Sequence, residues 1–144
     1  MKDILIASHG RLAEGLKNTL SIFSGDLSRV KVSCAYVDDS IDYLNTIKEF
    51  IANSEDGNAV IFTDIYGGSV NTQIIEEIVK SQKDIPVVAG MNLPLVLSVL
   101  VSDEKITTDY LKHVAEECKP NVVEIELKPN DEVSKGDEED DFLN

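Results

Sequence analysis

The chain has 144 residues, 42% of them hydrophobic, which suits one domain with a real core. Its net charge is −14, and no basic patch interrupts it. Nucleic acid and anionic membrane surfaces are thereby poor candidates for partners, and a basic protein is favoured.

The first predicted element is "DILIASH", residues 3–9, an apolar run read as a buried strand. "RLAEGLKNTLSIF" follows as a helix with Leu12, Leu16, Leu20 and Phe23 on one face, slightly weakened by Gly15 and ended by Ser24-Gly25. "RVKVSCAYV" is a second strand. Ser40 is the expected N-cap of a helix carrying Ile41, Leu44, Ile47 and Ile51, with Phe50 beside that stripe. "AVIFTD", apolar on both faces, is a third strand; it breaks at "IYGGS", and the next helix bears Ile74, Ile75, Ile78 and Val79. "IPVVAG" is a fourth strand, opened by Pro86 where a missing N–H does least harm.

After the loop "MNLP" comes a short apolar helix from Leu95 to Val101. Thr107 or Thr108 caps another, bearing Leu111, Val114, Ala115 and Cys118, with His113 off its apolar face and therefore on the surface. "NVVEIELK" alternates apolar and charged residues, the pattern of an antiparallel edge strand with one wet face. From Asp131 to Asn144 seven acids stand against one lysine, a net of −6, which leaves −8 for residues 1–130. Such a run cannot bury enough to fold, so the chain divides into a domain over 1–128 and a solvated acidic tail over 129–144.

The apolar run at the N-terminus is too short for a secretory signal. The longest apolar stretch, "VVAGMNLPLVLSVLVS", contains Asn92 and Pro94 and falls short of the roughly 18 to 20 residues that span a bilayer. Cys34 and Cys118 read as two reduced thiols, and with the two histidines they supply no ligand pair at metal spacing. No cofactor is implied: the first strand–helix turn has one glycine, not a dinucleotide-binding fingerprint. These features together predict a cytoplasmic protein.

Four strand–helix units with doubly buried strands predict an α/β fold: a doubly wound parallel sheet with helices on both faces. Such sheets bind ligands beyond the carboxyl ends of their strands. His9 and Asp64 each fall at such an end, on the first and third strands, which are neighbours if the order is 2-1-3-4. A nucleophilic histidine must be neutral, with one ring nitrogen open and the other tied to an acceptor. Asp64 is the available acceptor. "GGS", Gly67 to Ser69, stands just before a helix, so its N–H groups can meet an anion, and the Ser69 hydroxyl adds a donor. Taken singly these are also an ordinary turn histidine, a strand-end aspartate and a glycine turn. Their convergence suggests phosphoryl transfer to nitrogen.

Three stretches in order, "ILIASHGRLAEGL", "FTDIYGGSVNTQ" and "VVAGMNLPLVL", resemble the mannose-family enzyme IIA domains of the bacterial phosphotransferase system over about residues 2 to 128. The resemblance implies four parallel strands plus a fifth, antiparallel one, exchanged between the subunits of a homodimer; "NVVEIELK" would be that strand. It also implies a phosphotransferase working through a phosphohistidine, supplied by a histidine-containing phosphocarrier protein and drained by a sugar-specific enzyme IIB during sugar uptake. Any tie to the membrane is then indirect, through the transporter. His9 would take the phosphoryl group on Nε2, Asp64 would pair with Nδ1, and Gly67, Gly68 and Ser69 would surround the phosphoryl oxygens. Asn92 and Pro94 match a loop near the site and carry no catalytic role. Arg11, after the His-Gly pair, reads as a solvated charge in the first helical turn, with contact to the phosphoryl group or the partner as the alternative. Two other readings share the features: the phosphoryl-donor subunit of a dihydroxyacetone kinase, and a regulatory module in which the histidine senses phosphorylation or a ligand.

Overall fold

The computed structural model describes residues 2–127. The acidic tail expected over 129–144 lies outside the described residues. Among the described residues nine elements follow one another: β1 (Asp3–His9), α1 (Leu12–Phe23), β2 (Val30–Ala35), α2 (Tyr43–Asn53), β3 (Ala59–Thr63), α3 (Ser69–Ser81), β4 (Val87–Ala89), α4 (Leu93–Val101) and α5 (Thr108–Glu117). All strand pairs are parallel, and the order is β2-β1-β3-β4, as expected.

Alternation along the central strand explains the layers. Ile4 and Ile6 point to one face, where they join Ala13 and Leu20 of α1, Val96 and Val99 of α4, and Leu111 and Val114 of α5. Leu5 and Ala7 point to the other, meeting Ile47, Phe50 and Ile51 of α2 and Val70 and Ile74 of α3. Both faces of β1 and β3 are thereby sealed, which is why their sequences read as unbroken apolar runs.

Helix faces are narrower than their sequence stripes. Leu20 and Ala13 are fully buried, but Leu12 and Phe23, at the two ends of α1, are more than half exposed. On α3, Val70, Asn71 and Ile74 are buried while Ile75 and Val79 face solvent. Periodicity selects a face, whereas the neighbouring layer covers only part of it. The cap of α2 also differs from expectation: Asp42, not Ser40, accepts the Leu44 N–H at 3.0 Å, and Ile41 lies outside the helix, exposed. At α5 the cap is Thr107.

Among the described residues the segment expected as a fifth strand pairs with no other strand. Residues 121–127 have no sheet pairing, and Val122, Val123, Ile125 and Leu127 are all largely exposed. An extended segment becomes a strand only when an edge takes up its N–H and C=O groups. Edge strands β2 and β4 receive no such partner among the described residues.

Candidate active site

The β1–α1 turn is compressed into two residues. Ser8, buried, accepts the Ala13 N–H at 2.8 Å through Oγ and so caps α1 from within the strand, since Arg11 at the formal N-cap offers no side-chain bond. Gly10 reverses the chain at φ 59°, a left-handed conformation that would cost another residue roughly 1–2 kcal/mol. Its N–H donates to Ala35 O at 2.8 Å, locking the turn to the end of β2. His9 is thereby presented at the carboxyl end of the central strand.

The β1–β3 register, Ala7 beside Thr63, brings the next residues of both strands together. Asp64 accepts the main-chain N–H of His9 at 2.9 Å and the ring Nδ1–H at 3.0 Å, both through Oδ2; its Oδ1 accepts the Ile65 N–H at 3.0 Å. The carboxylate is nearly buried (8% exposed), whereas the imidazole is 35% exposed. Burial pushes the Asp64 carboxyl up, but hydrogen bonds from the main chain and ring of His9 outweigh it and hold it below the ordinary value. A carboxylate can only accept, so a neutral His9 carries its proton on Nδ1 and presents the Nε2 lone pair outward.

Nε2 meets Ser69. Its Oγ lies 3.2 Å away, so the Ser69 hydroxyl donates to a neutral ring. Ser69 is the first residue of α3, whose positive end therefore faces Nε2. Gly68 is set by proximity: a Cβ there would meet His9 Cε1 at 3.3 Å. The two glycine N–H groups are not open as expected. Gly67 donates to Oδ1 of the buried Asn71 at 3.2 Å, and Gly68 donates to Ile65 O at 3.2 Å. The groups without an intrahelical acceptor are the N–H groups of the first turn of α3, beginning with Ser69.

Sequence reasoning missed two neighbours. The sequence pattern puts Tyr36 inside the second strand, yet β2 ends at Ala35, which pairs with His9, and Tyr36 turns at φ 64°. Its ring stacks on His9 with centroids 5.6 Å apart and planes 24° apart, and its hydroxyl lies 3.0 Å from Ser69 Oγ. The available signal was positional, since Tyr36 follows the carboxyl end of a strand beside His9. Asn71 was missed because a polar residue on the apolar side of a helix looks like a fault in the stripe until its partner is known.

The remaining candidates have structural roles. Asn92 caps α4 by accepting the Leu95 N–H at 2.9 Å, and its Nδ2 donates to Cys118 O at 2.7 Å; Pro94 lies in the first turn, where its lacking N–H is harmless. Arg11, 70% exposed, pairs with Glu14 at 3.0 Å. His113 pairs with Glu117 on the surface. Among the described residues no group of acidic, histidine or cysteine side chains could hold a metal ion, and no helix is long and apolar enough to cross a membrane.

A family model for the mannose-type IIA proteins, described as the fructose IIA component of the phosphotransferase system (PTS), matches residues 3–126. The chain belongs to the mannose-type IIA family. A Klebsiella pneumoniae protein, provisionally assigned as a PTS permease, is similar at 27% identity and TM-score 0.63, over 83% of this chain and 90% of that one. The PTS IIA protein associated with the fucose utilization operon of Streptococcus pneumoniae aligns at 25% identity and TM-score 0.66, over 83% and 92%. The mannose/sorbose-specific IIA subunit of Enterococcus faecalis shares the fold at 21% identity and TM-score 0.62, over 89% and 100%. IIA-family proteins are phosphotransferase components that work with phosphocarrier and IIB proteins, and a phosphoryl-carrier role fits this IIA-family chain.

Proposed function

We propose that the chain carries a phosphoryl group on Nε2 of His9 in the cytoplasm, taking it from a histidine-containing phosphocarrier protein and passing it to a sugar-specific enzyme IIB during sugar uptake. The observation that carries this reading is the position of His9, with Nδ1 held by a buried carboxylate and Nε2 aimed at the N-terminus of α3. The Nε2 lone pair attacks the phosphorus as the donor's P–N bond breaks, and the donor nitrogen keeps the electron pair. Positive charge develops on the imidazole as the new P–N bond forms, and Asp64 stabilises it without taking the proton. The Ser69 hydroxyl, displaced from Nε2, turns to a phosphoryl oxygen; the Ser69 N–H serves a second, and Gly67 and Gly68 flank them. Transfer to IIB is the reverse exchange.

Exposed Leu12, Ile65 and Tyr66, in the segments that follow His9 and Asp64, offer a partner apolar contacts on a chain of net charge −14. That charge speeds encounter with a basic phosphocarrier. A homodimer is part of the proposal: residues 121–127 of one subunit pair with the open β4 edge of the other, along a groove of about 410 Å³ lined by Val87, Val88, Leu111 and Ala115. The unpaired apolar side chains of 121–127 support it. Light scattering should give a dimer for the native chain and a monomer for an Ile125→Ser, Leu127→Ser variant; a native monomer overturns the exchange.

The carrier role is tested by intact mass after incubation with phosphoenolpyruvate, enzyme I and the phosphocarrier. One acid-labile phosphoryl group on the native chain, absent from His9→Ala, is expected. No gain, with partners active on another IIA protein, overturns the reading.

A further inference from the structure

Tyr36 combines features that ordinary packing does not explain. It is a bulky residue at φ 64°, a conformation that tyrosine rarely adopts. Core burial does not offset the strain, because the residue is 66% exposed. What the left-handed turn does achieve is direction: leaving the end of β2, it swings the ring across the strand ends onto the imidazole of His9. Strain held in place by its surroundings beside a reactive group points to a role there.

The hydrogen bonds define that role. Asp64 takes the Nδ1–H of His9, so Nε2 must accept, and the Ser69 hydroxyl must donate to it. The remaining lone pairs of Ser69 Oγ then face the Tyr36 hydroxyl, which donates at 3.0 Å. The chain of donors runs one way, from Tyr36 to Ser69 to His9 to Asp64. Each link polarises the next.

Resting on the carrier reading above, we infer that Tyr36 is a positioning residue for phosphoryl transfer at His9. Its hydroxyl holds Ser69 Oγ as an acceptor, so that the Ser69 proton points at Nε2 before transfer and at a phosphoryl oxygen after it. Its ring, against the imidazole face, fixes the ring rotation and hence the axis along which the P–N bond forms. No bond is made or broken at Tyr36, and no proton leaves it. Tyr43 supports the arrangement from behind, with its ring centroid 5.9 Å from that of Tyr36.

The test uses the full chain and follows transfer from phosphorylated carrier by rapid quench, as the limiting rate and the half-saturating carrier concentration. Tyr36→Phe keeps the ring and removes the hydroxyl. Its limiting rate should fall about threefold to tenfold, the effect of one hydrogen bond, with half-saturation unchanged. In a Ser69→Ala background the same substitution should do nothing more, because the hydroxyl acts only through Ser69. Tyr36→Asn, which tolerates the left-handed backbone but lacks the ring, should lose more than Tyr36→Phe does. An unchanged limiting rate in Tyr36→Phe overturns the inference. So does a loss that persists undiminished with Ser69→Ala, or a change confined to half-saturation, which would make Tyr36 a docking residue. If Tyr36→Asn does not fold, Tyr36→Phe and its double variant still decide. Absence of transfer to the native chain would instead bring down the carrier reading itself, an outcome distinct from native transfer that ignores Tyr36.

Discussion

Oδ2 of Asp64 accepts two hydrogen bonds from one residue, the main-chain N–H of His9 at 2.9 Å and its ring Nδ1–H at 3.0 Å. The first bond fixes the carboxylate to the strand end, and the second fixes the imidazole to the carboxylate. Position and tautomer of the ring are thus set by one oxygen. Asp64→Asn keeps the shape but removes the charge that, on the proposed mechanism, stabilises a developing imidazolium. Phosphoryl uptake by His9 should slow by about 10²–10⁴-fold, measured as the rate of transfer from phosphorylated carrier, while far-UV circular dichroism stays native.

Acid stability should report the same pair. His9 holds the Asp64 carboxyl below its ordinary value of 3.8. A carboxyl lowered in the folded state contributes stability that is present above its unfolded value and lost as pH falls through the folded one. The urea midpoint of the native chain should therefore exceed that of Asp64→Asn by most near pH 7, and the gap should narrow below about pH 4. A gap that stays constant to pH 2.5 would show that the pair contributes nothing through ionisation.

Gly68 makes a contact, not a turn. Its φ of −70° suits alanine, so Gly68→Ala should lose only about 0.5–1 kcal/mol as a helix cap, read from urea unfolding. The added Cβ would stand 3.3 Å from His9 Cε1 and push the ring off its axis. Uptake should drop roughly tenfold, out of proportion to the stability change.

Asn71 separates structure from charge. Asn71→Ala strands the Gly67 N–H and should destabilise the domain by about 1–3 kcal/mol. Asn71→Asp restores an acceptor and with it part of the urea midpoint. The new negative charge lies next to the loop proposed to flank the phosphoryl group, so uptake should remain slow in a protein that is again stable.

The α1 face is tested by a pair of substitutions. Leu20→Ala removes a fully buried side chain and should cost about 2–5 kcal/mol. Leu12→Ala, at a position 54% exposed, should stay within about 0.5 kcal/mol. Equal losses in urea unfolding would show that the whole stripe is core.

The sequence by itself determined the α/β class and put His9 and Asp64 at the carboxyl ends of strands; the strand order that makes them neighbours belongs to the tertiary structure. Apolar runs at 4–7 and 59–62, too short for helices and followed by turn residues, read as strands covered on both sides, and parallel strands put their carboxyl ends at one edge. Those signals are periodic and local, so they survive in one dimension. Tertiary structure alone decided how far each helical stripe is covered, which is why Leu12 and Phe23 are exposed although Leu20 is not. It also decided that Asp42, not Ser40, starts α2, because the approach of the chain from β2 selects among several capping residues. Above all it decided the role of Tyr36. A left-handed tyrosine has no sequence signature, and its value lies in a contact with Ser69, 33 residues away. Contacts of that kind exist only once the strand order has been settled, since it is adjacency in the sheet, and not spacing in the chain, that makes them neighbours.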